Sequence, residues 1–334
     1  MGKKLKDTDY LPISARIKIM ETRLLTREQM DRLLDSKDSG DAAKLLQECG
    51  YPELDAANPD KLDAAMSEVR QQTMENLADG MPDLRYLDIF KVKYDYHNIK
   101  AILKAQAMQV SPDGMLMDMG RISASELKEA IASRNTEKLP PLPAQAIAEA
   151  QEVLETTRDP QLSDMVLDRW YYKDLRGASD EIGSEFLSGY VASQIDAANL
   201  RVLIRARRMG KDDVFLKSAL FDGGRISVDQ ILRALDGGED KVEELYHTTD
   251  LRLAAEAGLR AGKSGALTEF EKLCDDAVSQ RLSGAGLIPF GEPPLLRYLA
   301  ARETEYTNLR MILIGRQAGI APDILRTRLR ASAI

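Results

Sequence analysis

Cysteine is almost missing from this 334-residue chain, which has only Cys49 and Cys274. Both fall where apolar residues recur at helical spacing, so no disulfide framework is expected and a reducing compartment fits. Aromatic residues are 5% of the total, with one tryptophan, and the apolar–polar alternation of half-buried strands is scarce. No stretch approaches the roughly 20 consecutive apolar residues of a membrane-crossing helix. Residues 1–11 hold charges but no apolar signal core, and Lys6 stands where a myristoylation signal has Ser or Thr. A soluble intracellular protein is the expectation. Positive charge is also short: 46 Lys and Arg against 54 Asp and Glu leave a formal net charge of −8. That argues against a nucleic-acid surface, which needs cations to displace counterions.

What the chain does have is helix-forming sequence. Ala, Leu, Glu, Lys, Arg and Gln dominate long stretches, and apolar residues recur at helical spacing, as in Ala43-Leu45-Leu46-Cys49 and Leu62-Ala65-Met66-Val69. The reading is all-α. One helical phrase is written three times: Asp95-Tyr96-His97-Asn98-Ile99-Lys100, Asp196-Ala197-Ala198-Asn199-Leu200-Arg201 and Glu305-Tyr306-Thr307-Asn308-Leu309-Arg310. Each copy is acid-x-x-Asn-apolar-base and continues into an apolar pair, Ile102-Leu103, Leu203-Ile204 or Ile312-Leu313. The asparagines lie 101 and 109 residues apart, which marks a chain built from one repeated unit.

A second phrase opens each unit. Thr26 and Gln29, Ser123 and Glu126, and Ser227 and Gln230 are spaced as capping boxes, in which the hydroxyl takes a backbone N–H and the Glu or Gln reaches back to the cap. They stand 72, 76 and 81 residues before their asparagines. Breaks are expected at 36–40, 138–143 and 237–240, after the capped helices, and at 283–294 before the last long helix. Proline lacks the N–H that a helix interior needs, so 138–143 is read as non-helical. The expected units are residues 1–118, 119–222 and 223–334.

On the signature helix the apolar positions form a stripe that includes the acid, with the asparagine at its edge and the base well outside. An acid on a buried face needs a partner, because an unpaired buried charge is very costly. Asp95, Asp196 and Glu305 are therefore expected to lock their helices to a neighbour, through a helix N-terminus or an arginine. Replacing Asp196 with Ala is expected to lower thermal stability.

No catalytic, cofactor or metal site assembles from the sequence. Gly262-Lys263-Ser264 resembles the end of a phosphate-binding loop, but Ala257 stands where that loop needs its first glycine, and 251–259 reads as helix rather than following a strand. His97 is replaced by Ala198 and Thr307 in the other copies, and neither it nor His247 has metal-ligand spacing or a nucleophile to serve. Trp170-Tyr171-Tyr172 reads as core packing. The cations Arg201, Arg205 and Arg208 are candidate contacts for an acidic partner.

The three signature helices, the stretch Asp164…Asp168-Arg169-Trp170-Tyr171-Tyr172 and the run 186–208 together resemble the C subunit of V/A-type rotary ATPases, whose eukaryotic counterpart is called the d subunit. The resemblance covers nearly the whole chain; the first copy departs by using Lys100 for Arg and the third by using Glu305 for Asp. It implies three pseudo-threefold-related helical domains forming a funnel-like socket, and a non-catalytic rotor subunit without cofactor. Such a subunit sits on the cytoplasmic face of the membrane rotor ring of c/K subunits and receives central stalk subunits D and F. It transmits torque for proton or sodium transport. The alternative is a helical-repeat adaptor unrelated to an ion pump.

Overall fold

The computed structural model describes residues 5–52, 58–263 and 265–334. The α-helices among them are α1 (Leu11–Glu21), α2 (Arg27–Leu34), α3 (Ser39–Glu48), α4 (Pro59–Ala78), α5 (Arg85–Met108), α6 (Ala124–Ser133), α7 (Pro141–Thr157), α8 (Pro160–Ile182), α9 (Glu185–Arg208), α10 (Asp213–Ala219), α11 (Val228–Asp236), α12 (Glu239–Tyr246), α13 (Arg252–Lys263), α14 (Thr268–Ser283), α15 (Glu292–Gln317) and α16 (Pro322–Arg328). No strand occurs among the described residues, so the fold is all-α.

The chain forms two compact units. Unit 1 joins Met1–Asp83 to Gly238–Ile334, and unit 2 is Leu84–Gly237. In unit 1, α15 packs against α1, α2, α4, α14 and α16. One apolar core there draws Leu25, Leu33, Leu46 and Leu62 from the front of the chain and Leu309, Ile312, Leu325 and Leu329 from its end. In unit 2, α8 packs against α5, α7 and α9.

All three capping boxes form. Thr26, Ser123 and Ser227 cap α2, α6 and α11, each with its hydroxyl accepting from the backbone N–H three residues on, and Gln29, Glu126 or Gln230 returns the bond. The proline breaks are shorter than expected. α7 begins at Pro141 and takes in Pro143, and α15 begins at Glu292 with Pro293 and Pro294 in its first turn. The first N–H groups of a helix have no intrahelical partner, so proline costs little there and marks a start. Likewise α3 begins at Ser39 because the Asp38 carboxylate accepts from the Asp41 N–H at 2.9 Å.

The signature phrases lie in α5, α9 and α15, helices of 24, 24 and 26 residues. Each buries fourteen residues, too many for one stripe, so these helices are enclosed on most sides. That enclosure turns their polar positions into obligatory bonding sites.

Candidate functional site

Asp95, Asp196 and Glu305 are 0%, 6% and 2% exposed, and all three spend their lone pairs on backbone just ahead of a capped helix. Asp95 Oδ1 accepts from the Arg121 and Ile122 N–H groups at 2.8 and 3.1 Å, directly before the Ser123 cap of α6. Asp196 accepts from the Arg225 and Ile226 N–H groups at 3.2 and 3.1 Å, before the Ser227 cap of α11. Glu305 Oε2 accepts from the Leu25 N–H at 2.6 Å, before the Thr26 cap of α2. The first two locks tie a signature helix to the next capped helix along the chain, 27 and 30 residues on; the third reaches back 280 residues to the beginning.

The asparagines repeat their own geometry. Asn98 exchanges two hydrogen bonds with the Met117 backbone, donating to its carbonyl at 2.8 Å and accepting from its N–H at 2.9 Å. Asn199 does the same with Phe221, both at 2.8 Å, and Asn308 with Arg330, at 3.0 and 2.9 Å. Each side-chain amide thus stands in for a strand partner and pins an extended segment to a helix, leaving no buried amide unpaired.

The charge partners differ between copies. Arg121 donates from Nε to Asp95 at 2.7 Å, while its Nη1 and Nη2 reach Asp174 at 3.1 and 2.6 Å. Asp174 also accepts from the Tyr96 hydroxyl at 3.2 Å. Arg225 donates to the Gly189 carbonyl and the Ser193 hydroxyl, at 3.3 and 3.2 Å. Glu305 pairs with Arg302 one turn earlier on its own helix and accepts from the Tyr51 hydroxyl. Burial pushes all three carboxyls above their ordinary range, against the opposing pull of the arginines and backbone N–H groups.

The bases lie outside the core. Lys100 pairs with Asp168 at 2.5 Å and Arg310 with Asp63 at 2.8 Å, both partly or largely in solvent, and Arg201 is half-buried. Arg205 and Arg208 are exposed near the end of α9. His97 is exposed, with Nε2 at 3.0 Å from the Met115 carbonyl. Trp170 is buried and donates from Nε1 to Glu149 at 2.7 Å, while Tyr171 and Tyr172 are half-buried. Gly262 and the Lys263 backbone lie in α13; Ser264 lies outside the described residues. Among the described residues no cluster of His, Cys, Asp and Glu is arranged to hold a metal ion.

Two glycines complete the locks, and sequence reading missed them. A Cβ on Gly120 would fall 2.1 Å from Asp95 Oδ1, and one on Gly224 would fall 2.2 Å from Asp196 Oδ1. The signal was present, since Gly120-Arg121-Ile122-Ser123 and Gly224-Arg225-Ile226-Ser227 are the same tetrapeptide. In the third copy the corresponding position is Arg23, and there the acid is Glu305, one methylene longer.

Fold and site together define an all-helical protein in which one polar phrase, written three times, holds helices in place. Residues 13–328 match the family described as ATP synthase (C/AC39) subunit, and the chain belongs to that family, the C subunits of V/A-type rotary ATP synthases. It is 24% identical to the C subunit of the V-type sodium ATPase of Enterococcus hirae, over 96% of this chain and 98% of that one. It is 25% identical to the C subunit of the A-type ATP synthase of Methanocaldococcus jannaschii, over 96% and 86% of the two chains. With the C subunit of the V-type ATP synthase of Thermus thermophilus the identity is 25%, over 91% and 93%.

Proposed function

We propose that this chain is the non-catalytic coupler of a V/A-type rotary ATPase, joining the central stalk pair D and F to the membrane rotor ring and passing torque between them for proton or sodium transport. In this reading it is peripheral on the cytoplasmic face and held to the membrane through the ring. Among the described residues no helix is long and apolar enough to cross a membrane, which agrees with that placement.

The observation that carries the proposal is the order of the locks. Signature helix α5 holds α6, α9 holds α11, and α15 holds α2 at the start of the chain, so the third copy hands back to the first. One lock recurring in three signature helices is what a chain of three related helical domains requires, and it supports the division at 1–118, 119–222 and 223–334. Asp95, Asn98, Asp196, Asn199, Glu305 and Asn308 are architectural in this reading, with Lys100, Arg201 and Arg310 as outer braces. A coupler must be stiff, and buried charge-assisted bonds between helices supply stiffness.

Arg205 and Arg208 remain the proposed contacts for an acidic partner, with Arg201 beside them. Met209 and Val214, 60% and 78% exposed, follow on the same segment and would add apolar area to a docking surface. The test is size-exclusion co-purification of the full chain with the D–F pair and the detergent-solubilised ring. One peak containing all of them is the expected result. Separate elution at both low and moderate salt would replace the coupler with a helical-repeat adaptor.

A further inference from the structure

Part of the family-like stretch on α8 takes no part in the locks. Arg169, Trp170, Tyr172, Lys173 and Arg176 line one side of a cavity of about 450 Å³ in unit 2, and loop 220–223 lines the other. That loop is firmly held. Asn199 takes both backbone groups of Phe221, and the Phe221 ring lies 4.6 Å from that of Tyr172. Gly223 has φ +99°, and a Cβ there would sit 3.3 Å from Arg176 Cγ and from Ile195 Cδ1.

The floor is apolar and aromatic, while the rim carries charge. Arg169, Lys173 and Arg176 follow one another at i, i+4 and i+7 along α8, against the single carboxylate of Asp222 in the lining. Arg169 pairs with Glu149 and Arg176 with Asp180, and both pairs are partly open to solvent. The Lys173 ammonium lies over the Trp170 ring, 4.1 Å from its centroid.

We infer that this cavity receives one bulky apolar side chain of a protein partner, with an acidic residue beside it resting on Lys173. A preformed aromatic pocket of this size suits a single anchor residue, and such anchors carry much of the energy of an interface. With both guanidinium groups held by Glu149 and Asp180, it is the Lys173 ammonium that favours an acidic neighbour over a basic one. A nucleotide fits less well, because its phosphates would compete with Glu149 and Asp180 for the two guanidinium groups. The inference rests on the coupler reading, which supplies the partners.

Trp170 is the only tryptophan in the chain, so the full-length protein grown with 5-fluorotryptophan gives one fluorine resonance, located in the cavity. That resonance is expected to shift on saturation with the D–F pair or with the ring. Lys173→Glu should weaken the same complex about tenfold and Asp222→Lys should strengthen it, since one reverses the rim charge and the other adds to it. Asp222 is exposed, so Asp222→Lys should leave the melting temperature unchanged, and Lys173→Glu should lower it only slightly, through loss of the contact over Trp170. A resonance that stays put while both partners are bound overturns the inference and leaves the coupler standing. A shift with ATP alone, and with neither partner, overturns it in favour of a nucleotide. A chain that binds neither partner removes the coupler and the cavity proposal together.

Discussion

Unit 2 is one continuous stretch with two aspartate locks, whereas unit 1 is assembled from both ends of the chain and has one glutamate lock. In unit 2 the loop backbone comes so close to the acid that only glycine fits, at Gly120 and Gly224. In unit 1 the corresponding residue is the exposed Arg23, and the longer Glu305 side chain reaches the Leu25 N–H. Both pairings deliver a carboxylate to the backbone ahead of a cap. Side-chain reach and loop proximity are therefore set together: a short acid needs a glycine, and a long one does not.

The largest expected effect comes from emptying a lock. Asp95→Ala would leave the Arg121 and Ile122 N–H groups without their buried acceptor and break the Arg121 pair, so it should cost about 3–5 kcal/mol in urea unfolding. A loss below that of an exposed ion pair would remove the locks from the account of stability. Next comes the exchange of acids. Asp196→Glu forces an extra methylene against the Gly224 loop and should cost about 1–3 kcal/mol by overpacking. Glu305→Asp should lose about 1–3 kcal/mol by withdrawing its acceptor from Leu25. If both exchanges are silent in thermal melts, the pairing of acid length with glycine is incidental.

A pH series sharpens the same contrast. Asp196, which is opposed mainly by backbone N–H groups, has its carboxyl raised by burial above the ordinary 3.8. A carboxyl with a raised native pKa binds its proton more tightly folded than unfolded, so its contribution is fullest in acid and declines as pH rises toward the raised value. Wild type should therefore lose stability relative to Asp196→Asn as pH climbs from 3.8 through the raised value and lose no more above it, read from urea midpoints. A gap that moves the other way would mean that the N–H groups outweigh desolvation. The smallest effect belongs to the outer braces. Lys100→Ala removes a partly exposed pair with Asp168 and should cost about 0.2–1 kcal/mol, fading with added salt.

Much of this architecture could be read from sequence because its signals are local. The capping boxes at Thr26, Ser123 and Ser227 need only neighbouring residues, and all three form. The buried acid followed from helical periodicity, which placed it on the apolar stripe. What lay out of reach was the identity of its partner, since no periodicity ties Glu305 to Leu25 across 280 residues. Asp174 was missed for a related reason: it stands outside the repeated phrase, and only the fold brings it to Arg121. The prolines at 141, 143, 293 and 294 were read as breaks because their cost depends on the turn they occupy, and here they occupy first turns.

The way unit 1 is stitched from both chain ends has a consequence for how the protein is made. Leu25, Leu33, Leu46 and Leu62 leave the ribosome well before Leu309, Ile312, Leu325 and Leu329, which share their core. At about 5–20 residues per second that interval is on the order of half a minute, during which unit 2 can complete its own fold while the first segment waits with its apolar face uncovered. Biogenesis therefore places the newborn α2–α4 segment in the care of whatever shields hydrophobic surface in the cell, until α15 and α16 arrive to cover it.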